Sequence, residues 1–197
     1  MAIKKRDIEF LYELGSLRHI QRSWRQAIGK DVANDLEHTL RVVWLALILA
    51  EREGGCDKEK LIKMALVHDL AETKTGDQNH QQALYVKADE ERALHDLLAG
   101  TSLTDFTDIA REYQTRESLE AKIVKDADNL DADLELRELD QQGSKLPAKW
   151  KKLRRLVRDK KLYTKAAREL WDKINQVDVA AWHLQNNKLY KVPDAGK

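Results

Sequence analysis

Cysteine occurs once in 197 residues, at Cys56, so no internal disulfide can form and no thiolate cluster can hold zinc. That usage fits a reducing cytoplasm. Proline occurs twice and glycine eight times, too rarely for a linker-rich or turn-dense all-β chain. No run approaches the roughly 18 apolar residues of a membrane span. The basic start, residues 1–6, meets Asp7 and Glu9 without an apolar signal core. A net charge of +1 among 35% charged residues singles out neither nucleic acid nor an anionic membrane as partner. The expectation is a soluble, cytoplasmic chain. Its 42% hydrophobic content suits a helix-rich protein with one core, hence one domain over 1–197.

Apolar spacing predicts helices almost throughout. Ile8, Leu11, Leu14 and Leu17 mark the first, and residues 37–53 the second, closed by Gly54-Gly55. Asp57 caps a third that carries Leu61, Ala65 and His68 and runs to about Glu72, before Thr75-Gly76-Asp77 breaks it. A fourth spans about 83–99, a short one about 105–113, and a long one about 117–141. The long helix has two apolar stripes, Ile123, Ala127, Leu130, Leu134 and Ala121, Ala132, Leu136, Leu139, so it is largely buried. Pro147 opens a basic helix to about Lys161, and a last helix runs from Thr164 to near Asn187. The fold class is therefore all-α, a bundle of about seven to nine helices around a central buried helix.

Polar residues on these apolar faces carry the chemistry. His38 shares a stripe with Val42, Leu45 and Leu49, a position that alone suits a hydrogen-bonded core histidine. His68 and Asp69 are adjacent, with Glu72 one turn later, and such a cluster is hard to explain as packing. On the central helix Val124, Asp128, Asp131 and Glu135 form a row between the stripes, where carboxylates need a metal, a cation or a proton. Two imidazoles and two carboxylates suit one divalent ion such as Mn²⁺, Fe²⁺, Co²⁺, Ni²⁺ or Zn²⁺, with positions left open for catalysis. Helical geometry leaves the choice between Asp128 and Asp131 open.

His38 in Glu37-His38-Thr39, then His68-Asp69, then Asp128 in Lys125-Asp126-Ala127-Asp128-Asn129-Leu130-Asp131 resemble the H…HD…D signature of the HD phosphohydrolase superfamily. The string His68-Asp69-Leu70-Ala71-Glu72-Thr73-Lys74-Thr75-Gly76-Asp77 is similar, more narrowly, to the bacterial 5′-deoxynucleotidases and human HD domain-containing protein 2. The likeness covers about residues 8–142. It implies that His38, His68, Asp69 and Asp128 hold the ion, for which Mg²⁺ is a further candidate. It also implies that Glu72 orients or deprotonates the attacking water, that Asp77 is a second acid near substrate, and that Arg22, ending Leu17-Arg18-His19-Ile20-Gln21-Arg22, binds phosphate. The reaction implied is hydrolysis of the phosphomonoester of a (deoxy)nucleoside 5′-monophosphate, and the relatives' size implies a homodimer.

Two departures are present. Ser23 follows Arg22 where the bacterial enzymes have Trp, with Trp24 one place later, and Gln78-Asn79-His80 stands where a Pro-containing loop is usual. An HD-type phosphodiesterase or nucleotide polyphosphate hydrolase is thus the rival enzyme. From another class, the rival is a non-catalytic metal-binding or partner-binding module, against which Glu72 and Asp77 speak. His80 is expected at the surface. The basic segment 149–158 is expected to pack through Trp150, Leu153, Leu156 and Val157 with a solvated basic face, and Trp182 and His183 are expected to be packing residues.

Overall fold

The computed structural model describes residues 2–185. In chain order the helices are α1 (Lys5–Gly15), α2 (Arg25–Ile28), α3 (Asp35–Glu53), α4 (Lys58–Val67), α5 (Glu72–Thr75), α6 (Glu90–Leu98), α7 (Phe106–Thr115), α8 (Leu119–Gln141), α9 (Leu146–Lys160), α10 (Lys165–Ile174) and α11 (Ala181–Gln185). Single 3₁₀ turns lie at Ser16–His19 and Gln82–Leu84. With α2, α5 and α11 only four or five residues long, the eight longer helices fall within the expected number. Among the described residues no strand forms beyond one antiparallel bridge between Gln21 and Asn34, and no helix is long and apolar enough to cross a membrane.

Side chains that satisfy the free amides of the first turn start the helices. Asn34 accepts from the Glu37 amide at 3.0 Å, and the Glu37 carboxylate accepts from the Asn34 amide at 3.2 Å. This capping box starts α3 at Asp35, ahead of the apolar stripe. Asp57, Asp89, Ser118 and Thr164 cap α4, α6, α8 and α10 by accepting first-turn amides with their side chains, without the reciprocal bond.

Helix α8 is the axis, in contact with α3, α4, α7, α9 and α10. Its Ala121, Ile123, Val124, Ala127 and Leu130 are fully buried with Val42 and Leu49 of α3, Leu61 and Met64 of α4, and Ala167 of α10. A second cluster, Phe10, Leu17, Val67, Leu94, Leu97 and Ala110, joins α1, α4, α6 and α7. A third joins Val32, Leu136 and Leu139 to Trp24 and Trp150, whose rings stack at 5.8 Å.

Several helices depart from the spacing. Helix α4 ends at Val67 because the chain turns through residues 68–71, where side chains compete for backbone acceptors. His68 Nδ1 takes the Ala65 carbonyl at 2.8 Å, and the Thr73 hydroxyl donates to the Leu70 carbonyl at 2.6 Å. Helix α6 starts at Glu90 rather than near residue 83, since Asp89 caps it and the consecutive Leu84, Tyr85 and Val86 stay exposed. Helix α1 buries Phe10, not Ile8 or Leu11, because Lys4 and Arg6 donate to the carbonyls of Thr101 and Leu97 and fix its rotation. On α9, Leu153 and Leu156 are exposed. Arg154 turns inward instead, to the Asp133 carboxylate at 2.6 and 2.9 Å. The expected last helix is two pieces: Asn175 Nδ2 donates to the Trp171 carbonyl where α10 ends, and Asp178 accepts from the Ala180 amide before α11. Trp182 is 72% exposed and His183 is exposed, so neither is a packing residue. Residues 186 and 187 of that expected helix lie outside the described residues.

Candidate metal centre

His38 projects from α3 into the interior, 1% exposed, and donates its Nδ1 proton to Asp131 Oδ2 at 2.6 Å. Asp131 is itself held by Arg41, whose other arm reaches Glu138 at 2.8 Å. His68, the residue after α4, donates its Nδ1 proton to the Ala65 carbonyl at 2.8 Å. Carboxylates and carbonyls only accept, so both imidazoles carry the proton on Nδ1 and turn an Nε2 lone pair inward. The two Nε2 atoms are 3.3 Å apart. Lone pairs that close repel unless a cation or a proton lies between them.

Two carboxylates complete the ring. Asp69 Oδ2 lies 3.2 Å from His68 Nε2 and 3.4 Å from His38 Nε2, and Asp128 Oδ1 lies 3.4 Å from His38 Nε2. The second Asp128 oxygen accepts from Lys125 Nζ at 2.7 Å, which aims the first at the centre. Donor atoms of His38, His68 and Asp128 all fall within 4.8 Å of one another. Burial alone lowers the His38 pKa, but Asp128, Asp131 and Asp69 outweigh it and raise it well above its ordinary value. The same field favours a metal cation, and the mixed N/O donor set fits a divalent ion.

A second group of acids adjoins the ring. Arg22 NH1 is 3.3 Å from Asp69 and 3.9 Å from Asp35, and its Nε is 3.8 Å from Asp77. The Ser23 amide donates to Asp77 Oδ2 at 2.6 Å. Donor oxygens of Asp35, Glu72 and Asp77 lie within 4.8 Å of one another. Asp35 is 0% exposed, and its hydrogen-bonding neighbour is the Glu72 carboxyl, since no amide, hydroxyl or basic side chain hydrogen-bonds to either Asp35 oxygen or to Glu72 Oε2. Burial, together with the charges of Asp69, Asp35 and Asp77, pushes the Glu72 carboxyl up to about 11. Burial likewise pushes Asp35 up to about 6. Among the described residues, the carboxyl groups of Asp35, Asp69, Glu72, Asp77 and Asp128 are paired with two permanently charged bases, Arg22 and Lys125, and with the titratable imidazoles of His38 and His68. That imbalance is a second observation in favour of bound cations.

All seven residues singled out from the sequence converge here, and His80 is exposed as expected. Asp131 sits on the Nδ1 side of His38, whereas Asp128 faces the Nε2 pair, so geometry now separates the two acids. Asp35, Lys125 and Arg41 were missed. The signal for Asp35 was present, since it precedes His38 by three and shares its helix face. Beside His68 a cleft of about 780 Å³ opens between α4, α6 and α7, lined by Val67, Ala71, Lys87, Leu94 and Tyr113 among others. A second hollow of about 260 Å³ is lined by Arg22, Ser23, Asp77 and Gln82.

Residues 14–174 match the family model of the HD domain. The chain belongs to the HD-domain family. The match to this HD chain runs past α8 to the end of α10, so α9 and α10 belong to the family region, beyond the motif-bearing segment. 5′-Deoxynucleotidase HDDC2 of Danio rerio is 29% identical to it over 145 residues, 70% of this chain and 72% of the relative. HDDC2 of Dictyostelium discoideum is 28% identical over 157 residues, 73% and 83% of the two chains. Among solved structures, a conserved hypothetical protein from Pyrococcus furiosus matches the HD chain with a TM-score of 0.72 at 26% identity, over 86% of this chain and 99% of that one. A predicted metal-dependent phosphohydrolase from Magnetospirillum magnetotacticum matches at 0.64 over 87% and 94%, and at 22% identity shows the shared fold alone.

Proposed function

We propose that this HD chain is a metal-dependent phosphohydrolase that cleaves the phosphomonoester of a (deoxy)nucleoside 5′-monophosphate. The observation that carries it is the convergence of two inward Nε2 lone pairs and two carboxylates on one point, with Arg22 and a nucleotide-sized cleft alongside. His38, His68, Asp69 and Asp128 would hold one divalent ion. When bound, that ion supplies Lewis acidity toward a phosphoryl oxygen and lowers the pKa of water. Glu72, one turn beyond Asp69 and beside the ring, takes the proton of the attacking water. Arg22 pairs with the phosphoryl oxygens through its planar fork, Asp77, anchored by the Ser23 amide, holds that fork, and the proton that Glu72 has taken passes to the departing 5′-oxygen. The P–O bond to the nucleoside breaks, and inorganic phosphate and a nucleoside leave.

The HDDC2 relatives, named as 5′-deoxynucleotidases, support a nucleotide substrate. The proposal includes one domain over 1–197, whose C-terminal part contributes Ala166, Ala167 and Ile174 to the main core. It includes a homodimer, supported by the exposed apolar row Leu36, Leu40, Trp44 and Ile48 along α3. It includes the cytoplasm, supported by the single cysteine. Purified protein with Mn²⁺, Co²⁺ or Mg²⁺, assayed on deoxy- and ribonucleoside 5′-monophosphates, cyclic dinucleotides and a generic phosphodiester, tests the substrate. Phosphate release from the monophosphates is expected. Turnover of the diesters alone would favour the phosphodiesterase, and none on any substrate with a metal bound would favour the binding module.

A further inference from the structure

Helix α9 holds seven basic residues and one acid, Asp159, and the metal centre uses none of them. The acids within reach are taken by the bases that lean inward. Arg154 grips Asp133 at 2.6 Å, and Arg158 reaches Asp172 at 2.6 Å and Asp159 at 2.8 Å. Among the described residues these are the ion pairs of α9, and Lys149, Lys151, Lys152, Arg155 and Lys160 stay exposed without one. At 3.6 residues per turn, Lys149, Lys152, Leu153, Leu156 and Lys160 share one face, turned away from Trp150 and Arg154. Leu153 and Leu156 stand within it, 52% and 54% exposed. Two leucines in water, set among uncompensated lysines along about 16 Å of helix, form a surface that the net charge of +1 conceals.

Apolar side chains at the centre of a basic helix face suit the boundary between lipid headgroups and acyl chains. We propose that the outer face of α9 docks the protein on an anionic lipid surface, where Leu153 and Leu156 enter that boundary and Lys149, Lys152 and Lys160 pair with lipid phosphates. The contact is peripheral, since no described helix is long and apolar enough to cross a membrane. A second copy of the chain is disfavoured here, because a twofold contact would set like charges against each other. A nucleic acid would take the lysines, but its backbone offers the leucines no apolar phase and leucine does not stack on bases. No residue of α9 lines the cleft beside His68 or the hollow at Arg22, so docking leaves both open to substrate.

Full-length protein sedimented with vesicles tests the surface. The vesicles hold phosphatidylcholine alone or about one part phosphatidylglycerol to two of phosphatidylcholine, at about 0.1 M and 1 M salt. Binding is expected on the anionic vesicles alone and is weakened at the higher salt. Lys149→Glu with Lys152→Glu is expected to lower the partition coefficient by about 25-fold or more, roughly fivefold per base. Leu153→Ser with Leu156→Ser is expected to lower it about tenfold, with the wild-type melting temperature kept in both variants. Should the leucine pair variant fail to fold, Leu156→Ser takes its place, with a loss of about threefold expected and none contradicting insertion. Absence of wild-type binding to the anionic vesicles overturns the proposal, and so does undiminished binding of the folded leucine variant. Tighter binding to a single-stranded RNA oligonucleotide than to the vesicles, lost with the lysines but not with the leucines, overturns it in favour of a nucleic-acid surface.

Discussion

Asp131 and the Ala65 carbonyl decide which nitrogen of each imidazole is free, and that choice turns both Nε2 lone pairs toward one point. The ligand types were legible in the sequence because His38 and His68 fall on apolar stripes, where a polar side chain needs a partner. Helical spacing left Asp128 and Asp131, one turn apart, unresolved and only the family pattern preferred Asp128; the side of His38 that each faces now separates them. Asp35 was hidden by the capping box, which extends α3 past the start of its apolar pattern. Replacing Arg22 with Lys keeps the charge but removes the fork that two phosphoryl oxygens share. KM for a deoxynucleoside 5′-monophosphate is expected to rise about tenfold, equivalent to about 1.4 kcal/mol, with a smaller change in kcat, in steady-state assays.

Asp35 also gives a pH dependence whose sign can be worked out. Its folded-state pKa, pushed up to about 6 by burial, exceeds the ordinary 3.8. The folded state therefore binds the proton more tightly, and stability falls as pH rises through the window between those values. Protein kept in chelator is expected to lose thermal stability between pH 4 and 7 more steeply as wild type than as Asp35→Asn, as melting curves at each pH would show. Equal slopes would remove Asp35 as the cause.

At the scale of elements, α8 was legible because its 3.6-residue periodicity persists over 23 residues, long enough to outweigh local preferences. The break after α4 was not, because it has no glycine or proline and arises from side chains taking backbone acceptors. The α9 face was misread for a related reason. Its apolar residues outnumber Arg154, but the paired guanidinium turns inward and leaves Leu153 and Leu156 to solvent. Burial outweighs capping in holding α8. Leu130→Ala, at a site of 0% exposure, is expected to cost about 2–5 kcal/mol in urea unfolding. Loss of the Ser118 hydroxyl that accepts from the Ala121 amide is expected to cost about 1 kcal/mol. A smaller loss from Leu130→Ala than from Ser118→Ala would contradict α8 as the packing axis.

Over the whole molecule, a net charge of +1 conceals a local excess of carboxylate around one point. Composition therefore said nothing of where the charge is concentrated. The all-helical class was legible from scarce glycine and proline, and the fold's matches extend it to the HD family through α10. Residues of α3, of the turn after α4 and of α8, remote in sequence, converge because one core holds these helices together, so the site exists only in the assembled bundle. The most direct test is phosphate release from a deoxynucleoside 5′-monophosphate by wild type and by Asp69→Ala in the same divalent metal, with bound metal measured in both. Metal-dependent release by wild type is expected, with loss of both metal and turnover in a variant that keeps its helical spectrum. A folded Asp69→Ala protein that retains full metal-dependent turnover would contradict the account.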